Sequence, residues 1–394
     1  MNWILSFFLG DIIALLTAYT FGISSLLYKK HIYKRISRRY SNYYSPTISI
    51  FIPCKGMDAH FENNIHDFLD NLLSQNTKLF FIVASKQEPE YEILTRLTKN
   101  TRDAYVVVTG PATFCGQKNY NLLQGIRASE ERDDVYVFLD KATTITAQQL
   151  QELVLPLSNP KVTASVGFRW NILSERTLGE RLHAFMIALQ WSMMNCTFIQ
   201  SIWGGATAIR REIFEKMGVR EYWARTAVDD MSLQHLIQKQ RRKAVFVPSC
   251  VKETDNTIKT VSGSIEWFKR QTLYVKFHLR PLWLLMLVLF LYPAVKIIGF
   301  PVLLGYTVFV PGKKAMAYTL STGMFIGGLM LYSLMLKRPA RDNHSTLSWF
   351  LLSPVYMVLT CYAILLTVGT NMLKWRGIAY QLDYRGYVKK IIRN

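Results

Sequence analysis

The stretch Val135-Tyr136-Val137-Phe138-Leu139-Asp140 reads as a strand buried on both faces that ends on a carboxylate. An unbroken apolar run of this length suits the interior of a parallel sheet, and the acid then falls at the sheet's C-terminal edge. Runs of the same kind lie on either side: Thr47–Pro53, Leu79–Ala84 and Ala104–Thr109 before it, Val162–Phe168 after it. Helical patterns such as Asn63–Leu73 and Glu90–Thr98 fall between them. This alternation predicts an α/β domain with a mainly parallel sheet and a site at the strand C-termini. Residues 45–280 form the block, large enough for one well-buried domain. No GxGxxG or GxxxxGK[ST] occurs, so neither dinucleotide nor P-loop chemistry is supported.

Outside this block the chain is strongly apolar. Of its 394 residues, 50% are hydrophobic and only 19% charged, which excludes a disordered chain. Lys and Arg number 47 against 27 Asp and Glu, a net +20 that suits either nucleic acid or an anionic membrane surface. The basic residues cluster beside apolar runs, which favours the membrane. Trp3 to Tyr28 carries one charge, Asp11, and is followed by Lys29, Lys30, Lys34, Arg35, Arg38 and Arg39. That pattern predicts an uncleaved anchor over 1–30 with its N-terminus outside. Ala315 to Leu336 is uncharged for 22 residues and Asn343 to Leu373 for 31, so both read as spans. Between 281 and 312 the run is broken by Lys296, with Pro293 and Pro301 nearby. A single crossing there would leave Lys313, Lys314, Lys374, Arg376, Arg385, Lys389, Lys390 and Arg393 outside, against Lys337, Arg338 and Arg341 inside. The positive-inside rule therefore favours a re-entrant hairpin over 281–312 and a basic cytosolic tail over 374–394. Ala184 to Trp203 is uncharged but polar-spotted, which suits an interfacial helix and a core helix equally. Five cysteines without metal spacing argue for a reducing compartment around the soluble block.

Three places carry chemistry. Asp140 is placed to hold a sugar hydroxyl or a metal-bound phosphate. Asp229-Asp230 precedes an amphipathic helix, Met231–Gln240, and reads either as an N-cap or as a general base. Glu266-Trp267-Phe268-Lys269-Arg270-Gln271 offers an arginine for a diphosphate and an indole for stacking, just before the membrane segments.

The order of these features resembles the ceramide glucosyltransferase branch of the family-2 membrane glycosyltransferases. The resemblance rests on Pro53-Cys54-Lys55-Gly56-Met57-Asp58 with Asn63-Asn64, on Gly116-Gln117-Lys118-Asn119-Tyr120-Asn121-Leu122, and on Trp203-Gly204-Gly205-Ala206. It extends to Asp140 and Asp230 as the second and third family aspartates, and to Trp375-Arg376-Gly377-Ile378 with Tyr380 and Leu382. It implies a GT-A fold, a cytosolic catalytic domain in a multi-pass protein, and transfer from a nucleotide sugar to a membrane lipid hydroxyl. That membrane would be the inner membrane in a bacterium and the Golgi or ER in a eukaryote. Asp230 would be the base of an inverting transfer, with Arg270 at the leaving diphosphate and Asp140 holding the donor through Mg2+ or Mn2+. Lys55, Gly56, Ser85, Glu88, Lys118, Asp140 and Trp267 would lie on the donor side, and Trp203, Gly204, Gly205 and Asp229 on the acceptor side. The chain departs from the pattern at Ser85 and Ala142, where the family has aspartates, and at Gln271, where it has tryptophan. Those departures leave open a catalytically impaired homologue that binds lipid or a partner enzyme. A transferase acting on polyprenyl phosphate or polysaccharide is a further alternative.

Overall fold

A computed structural model describes residues 2–40, 43–130, 132–199, 201–337 and 345–393. The chain divides into two compact units, one of residues 1–30, 170–196 and 254–370, the other of 31–169, 197–253 and 371–394.

The second unit is built on the expected α/β sheet. Its strands are β1 (Ile48–Pro53), β2 (Thr77–Val83), β3 (Ala104–Val108), β4 (Val135–Leu139), β5 (Ala164–Ile172), β6 (Ala206–Arg210) and β7 (Ala244–Asp255). They lie in the order β3-β2-β1-β4-β6-β5-β7. The first four run parallel, with Ile48 opposite both Thr77 and Val135, and β6 then pairs antiparallel with β4 and β5. Both faces are covered, as the unbroken apolar runs require: Ile50 and Ile52 pack on one side of β1 and Phe51 on the other. Strand order reverses between β1 and β4, and in such sheets the ligand crevice opens beyond the carboxyl ends at that point. Lys55-Gly56 follows β1 there and Asp140 follows β4.

The tail expected over 374–394 is instead a second sheet of β8 (Met372–Trp375), β9 (Ile378–Leu382) and β10 (Val388–Arg393), all antiparallel. Leu373, Ile378, Tyr380 and Leu382 are buried, and the lysines and arginines that gave the segment its tail-like composition occupy the remaining positions.

Among the described residues the first unit contains four helices long and apolar enough to cross a membrane: Phe8–Leu27 within Asn2–Leu27, Arg280–Phe309, Lys313–Leu336 and Thr346–Leu365. The hairpin expected over 281–312 does not form. Arg280–Phe309 is one helix of 30 residues with Pro293 and Pro301 inside it. The reason lies in Lys296, which had looked like a break: its ammonium is 2.5 Å from the Asp11 carboxylate. Tyr292 and Ser321 hydroxyls also donate to Asp11, at 2.8 and 2.9 Å, and the Tyr292 and Phe325 rings lie against the ammonium. The single charge of Asn2–Leu27 and the charge in the interior of Arg280–Phe309 thus neutralise each other. Asp11 beside Ser321, Tyr19 beside Tyr332 and Gly22 beside Met335 make the first helix parallel to Lys313–Leu336. Tyr292 against Phe325 and Thr307 against Thr319 make Arg280–Phe309 antiparallel to it.

The polar-spotted stretch forms the helix Leu178–Met194, shorter than 184–203 and capped by a Thr177/Glu180 box. Most of its faces are buried, with Phe185 against Trp349 and Tyr356, so it is a core helix of this unit. Arg338, Arg341, Asn343 and His344 lie outside the described residues.

Candidate active site

Lys118 is the centre of the site. Its ammonium lies 2.9 Å from Asp140 Oδ1, 2.9 Å from Asp229 Oδ2 and 3.1 Å from the Gly204 carbonyl. Burial works against its charge, but Asp140, Asp229 and Asp230 outweigh that and hold its pKa above the ordinary lysine value. The surrounding sequence explains how the lysine is placed. Gly116 opens the helix Gln117–Ala128, and a Cβ there would collide with the Ala227 carbonyl. The Gly116 amide donates to the Thr226 carbonyl at 2.9 Å, and the buried Asn119 amide donates to the same carbonyl at 3.0 Å. Gln117 ties down the incoming loop, donating to Gly110 O and accepting from the Ala112 amide.

Asp229 and Asp230 begin the helix Asp230–Lys239. As the N-cap, Asp229 makes no side-chain capping bond; its carboxylate is directed to Lys118 instead. Asp230 accepts from the Gly204 amide at 3.3 Å and the Met231 amide at 2.6 Å. Gly204 and Gly205 sit in the turn before β6, where the Asp140 amide donates to Gly205 O, so the turn and the end of β4 share a register. A Cβ on Gly204 would stand 2.6 Å from Asp229 Oδ2 and 3.1 Å from the Lys118 ammonium, so the charge cluster closes only around glycine. Trp203 packs edge-on to Phe168, and its ring fills the space beside Gly205.

Burial first, and then the Asp229 charge, push the Asp230 pKa up to about 7, against the opposing pull of Lys118 and the two amides. A carboxylate that takes up a proton must first be ionised, so a reaction using Asp230 in that role is expected to rise with pH through about 7 and level off above it. A kcat/KM profile in pH, falling about tenfold per unit on its acid side, checks this; a flat profile between pH 5.5 and 8 contradicts it.

The chain matches the family described as Glycosyl transferase family 21 over residues 12–388. It belongs to that family. Among solved structures, this family 21 chain is similar to a mannosyltransferase from Pyrobaculum calidifontis in complex with GDP-Man and Mn2+. Identity is 14% and the TM-score 0.48, over 90% of this chain and 99% of that one. It is also similar to glucosyl-3-phosphoglycerate synthase from Mycobacterium tuberculosis in complex with Mn2+, UDP and phosphoglyceric acid. There identity is 18% and the TM-score 0.34, over 53% of this chain and 70% of that one. A comparison with curated protein sequences gives no match.

The other residues singled out in this family 21 chain divide between the units. Lys55 and Gly56 form the loop after β1, and Gly56 adopts φ +78. Ser85 opens the turn after β2, where its hydroxyl accepts from the Gln87 amide. Glu88 is committed to the same turn, accepting from the Ala84 amide at 3.0 Å. Lys141, between Asp140 and Ala142, pairs with Asp58 of the β1 loop. Burial raises the Asp58 pKa, but the bond and charge of Lys141 outweigh it and hold the carboxyl below its usual value. Trp267 and Arg270 belong to the first unit, on the helix Val261–His278. Trp267 is buried edge-on against His183, with ring centroids 4.4 Å apart. Arg270 keeps its Nε buried without a hydrogen-bond partner among the described residues.

Among the described residues no group of three or more His, Cys, Asp or Glu side chains gathers as a ready metal site. Asp140 offers one carboxylate, and its side chain is 45% exposed. That is enough for a hard cation that arrives on a diphosphate and keeps several waters, as Mg2+ commonly does.

Proposed function

We propose that this glycosyltransferase is an inverting hexosyltransferase that moves a sugar from a nucleotide donor, UDP-glucose or a close relative, to the hydroxyl of a ceramide-like or other membrane lipid. The observation that carries this reading is Asp230, set at the start of its helix beside the Lys118–Asp229 pair, held by the Gly204 amide, and with its pKa pushed up to about 7, so poised as a base at neutral pH. Asp230 takes the lipid hydroxyl proton, and the alkoxide oxygen bonds to the anomeric carbon from the face opposite the leaving group. The anomeric C–O bond breaks, and its electron pair departs with the nucleoside diphosphate. One base suffices for such a displacement, whereas retention by double displacement needs a nucleophile as well. Lys118 faces the developing negative charge. Mg2+ or Mn2+ held by Asp140 would supply further neutralisation of the diphosphate. Gly204 and Gly205, beside Asp229, would border the acceptor hydroxyl, and Lys55, Gly56 and Ser85 the nucleotide. The test offers UDP-glucose, UDP-galactose and UDP-N-acetylglucosamine with mixed lipid extract, with and without Mn2+, and reads lipid products by mass spectrometry. A new glycolipid supports the proposal. No product from folded protein with any donor defeats it and favours the impaired homologue that Ser85 and Ala142 suggest.

We propose a membrane arrangement that chain continuity supports. Residues 197–253 and 371–394 belong to one compact unit, so the intervening segment leaves and returns on one side of a bilayer and crosses it an even number of times. In this arrangement the antiparallel helices Arg280–Phe309 and Lys313–Leu336 supply two crossings, and Thr346–Leu365, also long and apolar enough to cross, does not cross. The basic C-terminus then stays cytosolic with the catalytic unit, by a different route from a hairpin at 281–312. The five cysteines are all buried, so introduced ones can be read cleanly. An impermeant maleimide should label Asn100→Cys and Tyr384→Cys from one face and Gly312→Cys from the other. Labelling of Tyr384→Cys from the Gly312 face would contradict the arrangement.

A further inference from the structure

The C-terminal sheet touches three separate segments that carry the active-site residues. Tyr380 is 2% exposed, and its hydroxyl accepts from the Gln117 amide at 3.1 Å. That amide opens the helix bearing Lys118, and its N-cap, Gly116, has no side chain to satisfy it. A tyrosine 263 positions away in sequence thus caps the helix. The turn joining β8 to β9 is a two-residue hairpin, with Arg376 at φ 46 and Gly377 at φ 77. Both central residues are left-handed, as such turns require, so a non-glycine residue is held in an uncommon conformation. In it the Arg376 guanidinium donates to the Lys55 carbonyl and lies against Gly56. Arg393 of β10 donates to the Ala112 carbonyl, on the loop that leads to Lys118. The Val388 amide donates to Arg225 O at 2.8 Å, and Tyr387 bridges Thr226, on the segment that leads to Asp229 and Asp230.

We propose that the C-terminal sheet is a positioning element of the active site, with Tyr380 fixing the Lys118 helix and Arg376 fixing the Lys55–Gly56 loop. Loops beyond a sheet edge are its most mobile part, and a site on them keeps its geometry only through supporting contacts. Here those contacts come from the last strands of the chain. Neither residue touches the reacting atoms: each acts through the segment it holds. The proposal rests on the reading of Lys118 and Asp230 as the site, and its test separates the two.

Hydrogen–deuterium exchange on the full chain in detergent, with Tyr380→Phe beside wild type, needs no turnover. The conservative variant keeps the buried ring and removes only the acceptor oxygen. Exchange is expected to rise at Gln117 and across 112–120 while β1 and β4 stay protected. Arg376→Lys, which keeps the charge and loses the fork, should loosen 54–57 in the same way. With an active donor, kcat/KM for the nucleotide sugar should fall about tenfold in Tyr380→Phe at a nearly unchanged melting temperature. Unchanged exchange at 112–120 would overturn the proposal, as would looser exchange with full kcat/KM. Should wild type transfer no sugar, the proposed function fails, and the exchange pattern still decides whether the sheet holds these segments.

Discussion

Replacing Asp230 with asparagine is expected to lower kcat on the order of a thousandfold while leaving the protein folded. Asparagine has the same shape and can still accept from the Gly204 amide, which reaches Asp230 at 3.3 Å, but it cannot take up a proton. The sign of the stability effect can be worked out. A carboxyl raised from 3.8 to about 7 by burial and by Asp229 stabilises the fold below its unfolded value, and that contribution is lost as pH rises through 7. At pH 8 the neutral variant should therefore melt no lower than wild type, and the acid limb of the rate profile should disappear. An inactive variant that is also destabilised at pH 8 would mean that Asp230 is structural. Full activity would remove it from the mechanism.

Replacing Lys118 with methionine should be costly in both senses. Its side chain is 17% exposed and that of Asp229 10%, so the change strands a carboxylate in a nearly dry place. Breaking a buried pair from one side costs about 3 to 5 kcal/mol, far more than an exposed ion pair contributes. Activity should fall at least about a hundredfold, because a preorganised charge at the reacting centre is lost. Adding Asp229→Asn should restore part of the stability, with a coupling on the order of 1 to 3 kcal/mol, and none of the activity. Chemical denaturation of the four proteins in the cycle, with rates measured alongside, reads both effects. Additive stability changes would show that the 2.9 Å approach contributes nothing.

The parallel sheet was legible because strands buried on both faces are apolar without interruption, and Asp140 was legible because it ends one of them. Asp229-Asp230 was legible as a pair that caps a helix or supplies a base, but not which of the two. That distinction depends on where Lys118 lies, 111 positions earlier in the chain and known only once the sheet brings the two together. The hairpin over 281–312 fails for a related reason: a charge in an apolar run looks like a break until its partner, Asp11, is seen beside it. The C-terminal sheet was hidden by composition. Lysine and arginine density suggested a tail, yet Ile378, Tyr380 and Leu382 alternate with the period of a half-buried strand. That same alternation places Tyr380 beneath the Lys118 helix, and no local pattern could show what its hydroxyl caps.

The most direct test of the account is the anomeric configuration of the lipid product. With an α-linked UDP-sugar donor and purified protein, the proton coupling at the anomeric carbon of the isolated glycolipid distinguishes the two outcomes. A single base at Asp230, with no second carboxylate acting as nucleophile, predicts a β-linked product. An α-linked product would contradict it, and would require Asp140 or Asp229 to be reconsidered as the group that attacks the sugar.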